Sequence, residues 1–419
     1  MNRLGDWILD SASGPFGSNL KVECFVDDGF PIIDGANLKE VEVTDNITKF
    51  VTEEKARSLG RSIAKRHDVV VTISGTLGQI SYIPLDSKYP EYLCSQRQFR
   101  VTFDESKVDV EYLVYYFHTT VGQKKILSFA NYVGVPALAQ PLPNFRAIQV
   151  DFPDLDTQHK VVKAIKSFDN LIKTNQRINR NLEELARLIY DYWFVQFDFP
   201  DKNSKPYKTC GGKMVYNDQL KREIPAGWEI KQICDIARFE KDSVRPSDNP
   251  KTLYKHFSIP SFDECGSYAL ELGESIFSDK FMISETDILV SKLNPWTSRV
   301  VWGETQENQI CSTEFVVMKL NKLEEKGFLY SLVKQPSFID YCTRGSSGTS
   351  HSHRRVNPEY MMDYIFAYNK DVVRKFSTTI SQYAVMKMKN MREIRELAAL
   401  RDQLLPLLMN GQISVENLP

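Results

Sequence analysis

The chain says nearly the same thing twice, and this internal duplication constrains its fold more than any single motif does. Asp68 opens DVVVTISGTLGQISYIP, a β-rich run broken by a glycine turn from Gly75 to Gly78. Asp287 opens DILVSKLNPWTSRVVW, broken by Asn294-Pro295. Each reads as strand, turn, strand, because β-branched runs flank residues that favour tight turns. Next come LCSQRQFRVTF at 93–103 and ICSTEFVVMKL at 310–320, with Cys94-Ser95 and Cys311-Ser312 lying 217 residues apart. An amphipathic helical segment follows each, VEYLVYYFHTTV from Val110 and KGFLYSLVKQPSFI from Lys326. The openings also match, ICDIA from Ile233 echoing LGDWI from Leu4. Two copies of one supersecondary plan are expected, not one large core.

Each half then ends in a long helical pattern. Val161, Ile165, Phe168, Ile172, Ile178, Leu182, Leu185 and Ile189 recur mostly at threes and fours. So do Val373, Phe376, Ile380, Tyr383, Ile394, Leu397 and Leu404, with polar Lys387 and Asn390 interrupting. Such spacing makes an apolar stripe that two helices bury against each other as a coiled coil. The helix ends match too: EELARL at 183–188 resembles RELAAL at 395–400, an offset of 212 residues. Between the halves runs FPDKNSKPYKTCGGKMVYNDQLKREIPAGWEI, whose Pro, Gly, Lys and Asn content marks a flexible connector. The fold class predicted is α/β (α+β), with two tandem domains separated by long antiparallel coiled-coil helices and a pseudo-twofold internal repeat. The boundaries expected are a domain over 1–150, helix over 151–198, connector over 199–227, a second domain over 228–368 and helix over 369–419.

Composition sets outer limits. At 419 residues the chain suggests two or three domains, and an apolar content of 42% is ample for packed cores. The formal charge of −1 withholds the excess of Lys and Arg that usually announces phosphate binding. Any DNA surface must then be local or completed by a partner. No apolar stretch follows a basic start and no run of eighteen apolar residues occurs, so neither a secretory signal nor a membrane span is expected. Seven scattered Cys without CxxC spacing fit reduced thiols in a cytoplasmic protein.

Catalytic motifs occur in this chain only as incomplete fragments. NPEY at 357–360 superficially resembles the [DNS]PP[YFW] motif of adenine methylases, but Glu359 replaces the second proline and no FxGxG loop precedes it. Asn357-Pro358 reads instead as a helix start. Cys210-Gly211-Gly212-Lys213 lacks the GxxxxGK[ST] pattern of a phosphate cradle. A PD-(D/E)xK nuclease assembled from Pro200-Asp201 and Glu229-x-Lys231 would straddle the connector. His351 and His353 lack further ligands for a metal. No catalytic and no metal-binding residue is expected.

Three segments carry a family resemblance. QPLPNFRAIQVDFPDLDTQHKVVKAIKSFDNLIKTNQRINRNLEELARLIYDYWFVQF resembles the central repeat of type I restriction-modification specificity subunits. So do the connector PYKTCGGKMVYNDQLKREIPAGWEI and the ending ELAALRDQLLPLLMNGQISV. SGPFGSNLK and SSGTSHSHRRVN look like loops of that family's target recognition domains. The resemblance implies a non-catalytic chain in which each recognition domain reads one half of a two-part double-stranded DNA target. It implies that the helices hold a fixed spacing, that two methyltransferase subunits dock beside them to form an adenine methylase, and that motor-nuclease subunits add restriction. The chain itself is then expected to bind no cofactor, S-adenosylmethionine, ATP and magnesium being used by the partners. Two other readings remain open: a stand-alone adenine methyltransferase with duplicated recognition domains, and a coiled-coil scaffold that binds only protein.

Within that frame the candidate DNA contacts lie in turns and polar loops. Arg344, Thr349, His351, His353, Arg354 and Arg355 belong to or flank GSSGTS at 345–350, where small residues let backbone N–H groups approach phosphates. The turn at 74–79 supplies Ser74, Thr76 and Gln79, and the turn at 292–299 supplies Lys292, Asn294, Trp296 and Arg299. Gln, Asn and Arg can read base edges through paired hydrogen bonds, although hairpin tips carry the same residues for turn geometry alone. Arg57, Arg61 and Lys65 lie in a basic helical run before Asp68, either a solvated face or a track for a phosphate backbone. Trp193 and Phe194, in the aromatic cluster from Tyr190 to Phe197, either pack the helix end on a domain or receive a partner subunit.

Overall fold

The computed structural model describes residues 2–348 and 353–413. The chain forms two units, one comprising residues 1–172 with 395–419 and the other residues 173–394.

In the first unit a four-stranded antiparallel sheet has the order Ile8–Ser13, Gln98–Phe103, Val69–Thr72, Ile80–Tyr82. Val69, Val70 and Val71 are wholly buried, which accounts for an unbroken apolar run where alternation is the commoner pattern. In the second unit the sheet Ala237–Glu240, Phe315–Leu320, Asp287–Ser291, Val300–Trp302 has the same order. Each unit also holds a five-stranded sheet around one parallel pair. Ile33 lies opposite Cys94 in the first, and Phe257 opposite Cys311 in the second. The two cysteines that mark the repeat in sequence are therefore buried at the same place in the same sheet.

Asp68 and Asp287 also do one job twice. Each carboxylate is buried and accepts from the backbone N–H three residues earlier, Lys65 at 2.9 Å and Ser284 at 2.6 Å. This closes the turn that launches the central strand. Two short helices follow each sheet, Val110–His118 with Thr120–Leu127, and Lys326–Leu332 with Pro336–Arg344. Their apolar faces join the main core of their unit.

The long helical patterns form helices Leu155–Tyr190 and Lys370–Met409. In the second unit they run antiparallel, with Asn179 meeting Asn390 and Glu183 meeting Lys387. The buried line on the first helix there is Asn175, Asn179, Leu182, Ala186 and Tyr190. Ile178 and Leu185, expected in the seam, are 37% and 45% exposed instead. The 3-4 spacing holds, but its frame passes through two asparagines, and counting only apolar residues displaced it.

The connector also differs from expectation. Met214–Asn217 pairs with Arg222–Pro225, and Phe197, Phe199 and Ile224 form a small core with Tyr207 and Trp228 at its edge. Asp198 accepts from the Thr209 N–H and hydroxyl, each at 2.7 Å. A segment rich in Gly, Pro and Lys is ordered because its few aromatics find one another, Phe199 stacking on Tyr207 at 4.8 Å.

Candidate nucleic-acid interface

The same three-layered turn is built at one end of each four-stranded sheet. In the first unit the Ile73 N–H donates to the Arg97 carbonyl at 2.6 Å, and the Leu138 N–H donates to Ile73 at 2.8 Å. In the second, the Lys292 N–H donates to Glu314 at 2.9 Å and the Val356 N–H donates to Lys292 at 3.1 Å. Ser74 bridges Ala137 as Leu293 bridges Arg355. The Ser95 and Ser312 carbonyls close the neighbouring turns by accepting from Gln98 and Phe315 at 3.1 and 3.0 Å. Backbone bonding is thus duplicated while the side chains it presents are not. A fixed scaffold with variable side chains suits recognition of a different ligand by each copy.

In the second unit the 292–299 turn winds through Asn294 and Ser298, both left-handed with φ near +48° and +49°. Asn294 tolerates this backbone, and its side-chain carbonyl accepts from the Arg354 N–H at 3.1 Å while its own N–H donates to Arg354 at 2.8 Å. Arg354 donates onward to the Ser346 carbonyl at 2.5 Å. Arg355 grips both oxygens of Glu314 at 3.0–3.1 Å. Arg344, His353 and Trp296 are exposed and Lys292 is half-buried. Thr349 and His351 lie outside the described residues. Arg299 is placed differently from expectation. It is 8% exposed and donates twice to Asp263, at 2.5 and 2.8 Å, and again to the Leu293 carbonyl and Thr297 hydroxyl. Its fork is spent on holding the turn, which leaves little for a base edge.

In the first unit the turn borders two clefts. One, of about 860 Å³, is lined by Ser11 to Gly17, Arg61, Ser74 and Arg97. The other, of about 660 Å³, is lined by Asp34, Lys49, Ser74, Thr76, Gln79 and Arg97 among others. Gln79 accepts from Thr72 at 3.0 Å and donates to the Gly35 carbonyl at 2.9 Å, so both ends of its amide tie loops together. The basic run is not one helix: Glu53–Ser58 is helical, Arg61 sits in a tight turn and Lys65 in the strand Ile63–Lys65. Leu59-Gly60 ends the helix after six residues. Arg57 pairs with Glu53 at 2.8 Å and Glu91 at 2.6 Å, and Lys65 reaches Glu91 at 3.8 Å. Of these cations, Arg61 faces a cleft.

Two features of the interface escaped the sequence reading. One is Arg97, exposed between both clefts, whose counterpart is Glu314; the shared Cys-Ser two residues upstream is the signal that aligns them. The other is the strand pair Ala130–Asn131 and Ala137–Leu138, the first unit's counterpart of the pair Ser346–Ser347 and Arg355–Val356. Its tip exposes Tyr132, Val133 and Val135.

Tyr190 and Phe194 of the aromatic cluster at the helix end pack into the main core of the second unit. A widened turn, with the Gln196 N–H on the Asp191 carbonyl at 2.8 Å, rotates Phe194 inward. Its ring lies 4.9 Å from that of Phe328 and 5.1 Å from that of Phe376. At 6% exposure Phe194 has no face left for a partner, and half-buried Trp193 packs on Phe376 at 5.8 Å. The outward face of the same helix instead carries Ile178, Leu185, Leu188, Tyr192 and Val195, all substantially exposed.

The two mixed α/β units thus repeat one strand order and one backbone-bonded turn, with different side chains on each copy. Residues 27–184 match the family described as Type I restriction modification DNA specificity domain. The chain is 24% identical over 377 residues to the Type I restriction enzyme MjaIX specificity subunit of Methanocaldococcus jannaschii, covering 88% of this chain and 82% of that one. It is 23% identical over 327 residues to the Type I restriction enzyme HindI specificity subunit of Haemophilus influenzae, covering 64% and 69%. The fold is similar to that of the crystal structure of a type I restriction-modification S subunit from M. genitalium, with a TM-score of 0.57, 11% identity and coverage of 97% and 95%. Residues 27–184 thus resemble a type I specificity domain, and most of the chain is similar in sequence to specificity subunits of type I restriction enzymes. Among the described residues no helix is long and apolar enough to cross a membrane.

Proposed function

We propose that this chain is the non-catalytic subunit that gives a type I restriction-modification complex its DNA sequence specificity. Each unit acts as a target recognition domain for one half of a two-part sequence, and the antiparallel helices, a coiled coil, set the gap between the halves. Methyltransferase subunits dock on the helices and use S-adenosylmethionine to methylate adenine. Motor-nuclease subunits, using ATP and magnesium, add restriction. The observation that carries this reading is the duplicated turn, one hydrogen-bonded frame presenting different side chains in its two copies. Arg344, His353, Arg354 and Arg355 with Lys292, Asn294 and Trp296 serve the second half-site, and Arg61, Ser74 and Thr76 the first. The exposed stripe from Ile178 to Val195 replaces Phe194 as the docking face for a partner helix, since apolar side chains seven residues apart suit helix-on-helix packing. The net charge of −1 fits a reader whose phosphate contacts are partly supplied by its partners. Mapping methylated adenines in the host genome tests the reading. Two short motifs separated by an unspecified gap of constant length are expected. Methylation by the purified chain alone would establish the enzyme reading instead.

A further inference from the structure

Arg97 and Glu314 occupy one structural position. Each follows a Cys-Ser pair, each has its carbonyl accept from the residue just past the central strand, and each has its N–H on the serine hydroxyl two residues back, at 3.4 and 3.2 Å. The frame is common and the charge is reversed. Their surroundings differ as well. Glu314 is gripped by Arg355. Arg97 is exposed and, among the described residues, its guanidinium makes no hydrogen bond or ion pair; Nη1 lies 3.6 Å from where a Cβ on Gly75 would sit. It stands on the ridge between the two clefts, beside Gln96 and Ser74. An unpaired planar fork on a rigid turn can present two parallel donors without first breaking an internal bond.

We infer that Arg97 is the base-reading residue of the first unit, recognising a guanine through its N7 and O6 acceptors, and that Glu314 denies the second unit that preference. The chemistry follows from the donor pattern: guanine alone offers two adjacent acceptors in the major groove, and an arginine fork matches both. A carboxylate at the same place repels those acceptors and favours a donor such as the cytosine amino group. The inference rests on the proposed reading of DNA and goes beyond it by assigning one base class to one residue.

The test uses the full chain assembled with its methyltransferase subunits, challenged with a randomised double-stranded DNA library and scored by sequencing the methylated molecules. Arg97→Ala should lower discrimination for guanine at one position of one half-site by about 5- to 150-fold. Every other position, and the whole second half-site, should keep its preference. Arg97→Lys keeps the charge but loses the planar fork, so it should relax the same position. If Arg97→Ala instead weakened methylation of all sequences alike, with the motif unchanged, Arg97 would be a phosphate contact and the inference would fail alone. If the unaltered complex selected no two-part motif, the proposed function would fail together with it.

Discussion

The side-chain amide of Asn390 donates to the side-chain carbonyl of Asn179 at 2.9 Å, within the seam where the two long helices pack. Asn179 is 9% exposed, so the bond is largely withdrawn from water. Paired asparagines in a seam of apolar side chains favour the register that lets them meet, at some cost in stability. Asn390→Leu alone strands the Asn179 amide and should destabilise the protein by about 1–3 kcal/mol in urea denaturation. Leucine at both positions should recover most of that loss, giving a coupling energy well away from zero. Simple addition of the two single effects would show that the amides act independently.

Glu183 gives the helices an acid-sensitive tie. It pairs with Lys334 and with Lys387 and accepts from the Tyr330 hydroxyl at 2.7 Å. Burial pushes its pKa upward, but the two ammonium groups outweigh burial and hold it down at about 2. A carboxylate depressed in the folded state contributes stability above its unfolded pKa and loses it as pH falls through the folded one. Stability should therefore decline from about pH 4.5 towards pH 2, by on the order of 3 kcal/mol. Glu183→Gln should lower stability at pH 7 and flatten that acid limb. An unchanged acid limb in the variant would mean that other carboxylates govern it.

Charge in the second unit's loop sets a salt dependence. Arg354→Ala with Arg355→Ala should weaken DNA binding by the assembled complex across all sequences, and reduce the salt slope by up to about two units. Glu314 already neutralises part of Arg355, so Glu314→Gln should strengthen binding and steepen the slope. Full affinity and an unchanged slope in the double alanine variant would leave the loop as a solvated surface.

The helices can be tested as a spacer. Because Asn179 and Asn390 are bonded across the seam, four helical residues should be added beside each, so that the pair lengthens together. Four residues extend a helix by about 6 Å and turn it roughly 40° beyond a full turn. One base-pair step advances DNA by about 3.4 Å and 34–36°. A gap longer by one or two base pairs should become preferred in library selection, with both half-sites unchanged. An unchanged gap would reduce the helices to a docking surface.

Much of this molecule was legible in the sequence because its hydrophobic pattern is periodic and its two halves repeat. Strand runs after Asp68 and Asp287, the Cys-Ser pairs and the matching helix ends align by eye, and each became a matching element of the structure. Individual site residues were less legible. Arg299 and Gln79 have the right chemistry to read bases, yet one is tied to Asp263 and the other to Gly35 and Thr72. Their residue type does not tell whether a donor is already spent.

The sequence by itself determined the duplication, the long helices and the turns that each copy presents, since these follow from hydrophobic period and local turn chemistry. Only the tertiary structure decided the frame of the seam, the burial of Phe194 and the equivalence of Arg97 with Glu314. Those depend on partners far apart in the chain: Asn390 for Asn179, Phe328 and Phe376 for Phe194, and Ile73 and Lys292 for the two turns. A side chain's role is set by which neighbours satisfy it, and the fold brings those neighbours from far along the chain.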